Sequence, residues 1–274
     1  MLRRVSSLGA LMLFLTSCAA STISQADRTA WGNVKTPTSG PTRIYGAHYK
    51  GCLAGAMAMP PGNGYAFAQS SRGRHFAHPS MFSYLTQLGV MLAAENDYIV
   101  ISDIAQPRGG PLPGSHGSHQ NGLDVDIWYS HPPDFRETVG GPAYPFTPGQ
   151  LTAPDSKAAR MLRMAASFPE VDRIFVNPAI KQALCVHHSL EPWMAKLRPW
   201  WGHERHFHVR LRCPADEPAC ADQPPMNSGI GCDTSLQWWN SAEAKQGDAQ
   251  GKASGNVKKI TEMPRECMDI LRQP

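Results

Sequence analysis

Two short segments of the chain alternate apolar and polar side chains with a period of two. In Leu123-Asp124-Val125-Asp126-Ile127 the apolar residues hold the odd positions and the carboxylates the even ones, so a strand here turns both acids to one face. Phe207, Val209 and Leu211 likewise oppose His206, His208 and Arg210, with same-face neighbours about 6 to 7 Å apart along a strand. Tyr98 to Ile104 and Arg173 to Val176 read as buried strands. Pro79 to Ala94 and Asp155 to Phe168 carry helical spacing instead, the former opening on a proline suited to a first turn. These elements predict an α+β fold of one domain, in which helices cover one face of a small antiparallel sheet. The loops are long, and 105 to 115 and 130 to 150 are rich in proline and glycine, as the walls of a substrate groove are.

The polar faces of the alternating segments carry the chemistry. Together with the residues just before each, they hold five of the eleven histidines: His116, His119, His203, His206 and His208. If the two strands pair with their apolar sides on a common core, Asp126 and His208 meet above the sheet. His119, arriving from the glycine-containing loop, then completes a triad. Three nitrogen and carboxylate ligands with a fourth position left to water describe a catalytic zinc site rather than a closed structural one. Burying these groups without a metal or full hydrogen bonding would cost several kcal/mol. Asp124 is either a group that orients a ligand imidazole or a solvated acid. His48, His75, His78, His187 and His188, taken singly, read as ordinary polar residues.

Four stretches extend the pattern into a family resemblance. The Ser115-His116-x-x-His119-Gln120-x-Gly122-x-Asp124-x-Asp126 run, Phe175 to Lys181, Arg198-Pro199-Trp200 and the His206-x-His208-Val-Arg-Leu-Arg-Cys213-Pro214 run resemble the penicillin-insensitive murein endopeptidases. These belong to a wider group of zinc peptidases that includes D-alanyl-D-alanine dipeptidases and lysostaphin-type enzymes. The resemblance spans about Arg43 to Cys267. It implies one zinc ion and hydrolysis of the D-alanyl to meso-diaminopimelyl cross-link of peptidoglycan, a substrate that strand periodicity could not supply. A carboxypeptidase or dipeptidase of the same group is the alternative activity, and a catalytically silent cell-wall-binding protein the alternative of another class. Carried over by position, the family pattern makes His119, Asp126 and His208 metal ligands and places His206 beside the reacting water. It also counts His116 at the metal site, where its spacing from His119 fits an alternative ligand or a supporting residue equally well. His203 is a second candidate for proton transfer or substrate contact. The interval after the first motif holds only His131 and Asp134 amid prolines, so no second metal site is expected.

Residues 1–20 begin with Arg3 and Arg4, pass through an apolar run from Leu8 to Leu15 and end in small residues, which makes them a secretory signal too short to be a membrane span. Leu15-Thr16-Ser17-Cys18 also fits a lipobox in which Cys18 becomes a lipidated first residue; cleavage near Ala20 or Ala26 is the alternative. The expected location is the periplasm of a Gram-negative bacterium, soluble or anchored by lipid. Apart from Cys18, six of the seven cysteines remain, an even number suited to disulfides in an oxidising compartment. No Cys-x-x-Cys spacing supports a structural zinc cluster. Cys213 and Cys220 flank a short loop and could pair locally, while the family resemblance suggests Cys52 with Cys267 and Cys185 with Cys232. About 250 mature residues suffice for one well-buried domain, taken as 43–240. The polar segment 241–274 is expected to be flexible, chiefly over 241–259, and tied back through Cys267. Without Arg3 and Arg4 the formal charge falls from +4 to +2, which gives no warrant for nucleic-acid binding. Of Trp193, Trp200 and Trp201, two are expected in the core.

Overall fold

The two alternating segments become the centre of a six-stranded sheet in a computed structural model that describes residues 25–113, 117–131, 145–151, 153–226, 229–253 and 263–274. Strands Asp124–Trp128 and His206–Leu211 pair antiparallel, and the sheet runs Tyr65–Phe67, Ile99–Ile101, Asp124–Trp128, His206–Leu211, Val171–Val176, Leu197–Pro199. His116, Asp134 and the leader with Cys18 lie outside the described residues.

The sheet is mixed rather than purely antiparallel, which corrects the sequence expectation. Tyr65–Phe67 pairs parallel with Ile99–Ile101, and Val171–Val176 pairs parallel with Leu197–Pro199. The reason is topological. Parallel neighbours need a long crossover, which a helix normally supplies, and helices Pro79–Ala93 and Pro178–His188 fall inside these two connections. Both helices start on proline. The His78 ring accepts from the Ser80 N–H, and the Asn177 side chain accepts from the Ala179 N–H, so each cap satisfies an amide that the first turn leaves open. The third helix, Lys157–Ser167, is capped by Ser156.

The expected faces hold. Val125, Ile127, Phe207, Val209, Leu211 and Ile174 turn into one apolar cluster with Leu85 and Leu88 from one helix and Leu162 from another. The opposite face of the central strands is left to Asp124, Asp126, His208 and Arg210. Gly122 stands at φ +75°, and a Cβ there would lie 2.6 Å from Leu53 and 2.9 Å from the His78 backbone nitrogen. Only glycine turns the chain so tightly into the Asp124 strand.

Three disulfides join Cys52–Cys267, Cys185–Cys232 and Cys213–Cys220. Such bonds persist in oxidising, extracytoplasmic compartments. The first ties the C-terminal helix Arg265–Arg272 to strand Lys50–Ala54. Inside the segment read from composition as flexible, residues Ala242–Ala253 form a helix, a conformation that Ala, Glu, Lys and Gln favour. Among the described residues no helix is long and apolar enough to cross a membrane. Of the three tryptophans in question one, Trp193, packs against the main core. Trp200 is 47% exposed, and Trp200 and Trp201 both lean on Trp239.

Candidate metal centre

The register of the central strands sets Asp126 directly opposite His208 and Asp124 opposite Arg210. His119 reaches the same place from the preceding loop with its backbone at φ +66°, a left-handed conformation uncommon for a residue with a Cβ. Two hydrogen bonds hold it there. Its backbone N–H donates to Asp124 Oδ2 at 2.9 Å, and its Nδ1 lies 2.9 Å from the Ile104 carbonyl. A carbonyl can only accept, so Nδ1 carries the proton and Nε2 of the neutral ring offers a lone pair.

That nitrogen faces Asp126. His119 Nε2 lies 3.2 Å from Asp126 Oδ1, and His208 Nδ1 lies 3.0 Å from the same oxygen. All three residues are buried, and their ligand atoms lie within 4.8 Å of one another. Tetrahedral ligands roughly 2.1 Å from a zinc ion stand about 3.4 Å apart, close to these separations. Among the described residues no hydrogen bond satisfies buried Asp126 Oδ1. An orphaned carboxylate oxygen between two imidazoles is the donor set that a divalent cation satisfies.

The electrostatics agree. Burial alone would push the Asp126 carboxyl up, but His119 and then His206 hold it well below the usual carboxylate range. Burial likewise depresses His119, yet Asp126, with Asp124 and Asp103 behind it, outweighs this and raises the ring to about 9. Without a metal a proton takes the cation's place.

Asp124 is not a solvated acid. It is fully buried, accepts Arg210 Nε at 2.7 Å and Nη2 at 3.0 Å, and lies 3.1 Å from His208 Nε2. It therefore orients both histidines, His208 through the ring and His119 through the backbone. Burial would raise its carboxyl, but Arg210 and then His208 hold it well below the ordinary value. Replacing Asp124 by Ala would strand a buried guanidinium, so a loss of about 3–5 kcal/mol is expected in denaturant unfolding. A loss below about 1 kcal/mol would show that the pair holds nothing together.

His206 and His203 stand at the rim. His206 follows the same strand face as His208, is 30% exposed at its side chain, and lies 3.6 Å from Asp126 Oδ2 at its Nε2. His203 sits at φ +58° with Nδ1 3.1 Å from the Trp201 carbonyl, which again leaves Nε2 as the basic nitrogen. Burial, then the His206 and His208 rings, press it down to about 3. Phe175 closes the group, stacked on His203 and edge-on to His208. Sequence reading gave Phe175 no role because an aromatic in a buried strand carries no chemical mark. The Ile104 carbonyl had no side-chain signal at all. His131 takes no part: its ring meets the Tyr98 carbonyl and Lys157.

A family model described as penicillin-insensitive murein endopeptidase matches residues 44–272. The chain belongs to that family. Its relatives include the penicillin-insensitive murein endopeptidases of Haemophilus influenzae, 38% identical over 262 residues, and of Yersinia enterocolitica, 37% identical over 227. The first alignment covers 89% of this chain and 88% of the relative; the second covers 77% and 81%. The endopeptidase of a Klebsiella pneumoniae strain is 36% identical over 225 residues, with the same coverage. The matched span contains every described residue of the murein endopeptidase motifs; the fold gathers His119, Asp126, His206 and His208 from them at one point, with His203 beside them from the loop before strand His206–Leu211.

Proposed function

We propose that the chain is a zinc-dependent murein endopeptidase that hydrolyses the D-alanyl to meso-diaminopimelyl cross-link of peptidoglycan. The observation that carries this reading is the convergence of His119, Asp126 and His208 in a chain of this family. In it these three residues hold one zinc ion. Zinc, when bound, supplies a Lewis acid beside the scissile carbonyl. Asp124 and the Ile104 carbonyl keep both imidazoles aimed at one point, which limits the motion lost on metal binding. His206, open to solvent on the reacting side, exchanges the proton between the attacking water and the departing amine. His203, kept neutral with its Nε2 free, contacts the substrate or relays that proton. No covalent intermediate is required, so a β-lactam, which acylates a nucleophilic serine, has no target here.

Export through the leader to the periplasm, with lipidation at Cys18 as anchor, belongs to the same proposal and rests on the apolar run, the lipobox-like residues and the three disulfides. Mass spectrometry tests both halves. Defined cross-linked muropeptide dimers incubated with the zinc-loaded protein should give monomers cut at the D-alanyl to diaminopimelyl bond, and the protein processed in cells should start at an acylated Cys18. Loss of terminal D-alanine alone would indicate a carboxypeptidase, and binding without release would indicate a silent wall-binding module. An unmodified terminus beyond Cys18 would exclude the anchor.

A further inference from the structure

The row of residues that leaves the metal centre sideways across the sheet ends in positive charge. His208 pairs with Phe175, and Phe175 pairs in turn with Arg198 on the edge strand; one step along, Arg210 pairs with Arg173. Cross-strand partners share a face, and the intervening Ile174 and Leu197 turn into the core, so Arg173 and Arg198 lie on the face that bears the metal ligands. With strands about 4.8 Å apart, Arg198 stands about 10 Å from His208. A cavity of about 400 Å³ opens there, lined by Arg173, Arg198, Gln223, Pro224, Pro225 and Met226.

The contacts inside this cavity suit an anion. Arg173 donates to Asp172 at 2.5 Å and to the Pro224 carbonyl at 2.9 Å, and Arg198 Nε lies 2.8 Å from the Met226 sulfur. Asp172 also faces Arg212 at 3.7 Å and acts on Arg198, so three guanidiniums gather around one carboxylate. Burial, then the charge of Arg173, lowers the Arg198 guanidinium from its ordinary value, as expected where like charges crowd together away from water. Gln223 Oε1 is buried and, among the described residues, has no hydrogen-bond partner, so an acceptor is left over for a ligand N–H.

We infer that the cavity bounded by Arg198, Arg173 and Gln223 is a subsite for a free carboxylate of the stem peptide, held about 10 Å from the bond that is cut. This rests on the murein-peptide reading above. An extended peptide advances about 3.3 Å per residue, and the γ-linked glutamate and the long diaminopimelate side chain reach further, so about 10 Å is the span from the reacting carbonyl to a carboxylate one or two residues back in the same stem. Arg198 supplies the charge-assisted hydrogen bond, and Gln223 accepts an amide N–H of the same stem. Apart from the D-alanyl terminus at the bond that is cut, two carboxylates of a stem share this chemistry, that of the iso-linked glutamate and that of diaminopimelate.

Calorimetric binding of uncross-linked tetrapeptide muropeptides to the zinc-loaded protein tests the subsite without requiring cleavage. Amidating the recognised carboxylate should weaken binding to the native protein about tenfold or more, the scale of one charge-assisted hydrogen bond. Peptides amidated at the glutamate or at the diaminopimelate separate the two sources. The same amidation should cost little in Arg198→Gln, which has already lost the contact, while Arg198→Lys should retain part of it. Equal binding of free and amidated peptides to the native protein would overturn the subsite, as would an unchanged amidation penalty in Arg198→Gln. If Arg198→Gln fails to fold, the comparison of free and amidated peptides on the native protein still decides. A protein that discriminates the peptides yet cleaves no dimer would overturn the catalytic reading and keep the subsite.

Discussion

Protein stripped of metal by a strong chelator should release no monomer from cross-linked muropeptides, and stoichiometric zinc should restore cleavage. The expectation follows from three buried ligand atoms that face one another: His119 Nε2, His208 Nδ1 and Asp126 Oδ1. A second readout does not depend on turnover. A ligand that binds the folded chain alone stabilises it by about 2.7 kcal/mol at a hundredfold excess over its dissociation constant, so the metal-loaded protein should melt higher. The pH dependence has a definite sign. His119 in the metal-free chain titrates near 9 because Asp126, aided by Asp124 and Asp103, outweighs burial. Below that pH zinc must displace a proton, so its apparent affinity should fall as pH falls and binding should release protons. Full activity in verified metal-free protein would remove zinc from the mechanism.

The site was legible in the sequence wherever side-chain alternation and spacing encode geometry. Period-two patterning alone placed Asp126 and His208 on one strand face each, and the observed register sets them opposite one another. The helices at Pro79 and Lys157 were legible for the same reason, an apolar stripe that must be buried. What escaped was set by long-range topology. Nothing local to Leu197–Pro199 or Tyr65–Phe67 says that each pairs parallel with a partner across a helix. Asn177-Pro178, a side-chain cap followed by a proline, marked the start of the second crossover helix but lay inside a stretch read only as a family motif. The role of Asp124 could not be decided by spacing either, because its partner Arg210 lies 86 residues away in the chain.

His206→Ala and His208→Ala should separate into two different failures although both residues lie on one strand face. His208 sits opposite Asp126 with Nδ1 3.0 Å from its carboxylate and Nε2 3.1 Å from Asp124. One nitrogen lies against Asp124 and the other faces the Asp126 oxygen with which it would share a metal, so its removal should cost both zinc and activity. His206 is placed differently. Its Nε2 stands 3.6 Å from Asp126 Oδ2 and its side chain is 30% exposed, against 5% for His208, which leaves it free to meet a substrate. His206→Ala should therefore retain close to one zinc per chain while turnover falls by a factor of about 100 or more, the scale on which a positioned general acid or base contributes. Such a loss belongs in kcat, because a group that moves a proton only in the reaction adds little to ground-state binding. Zinc content and turnover measured on the same preparations decide the matter. A metal-free His206→Ala beside a loaded His208→Ala would exchange the two roles, and two active variants would place the reacting centre elsewhere on the molecule.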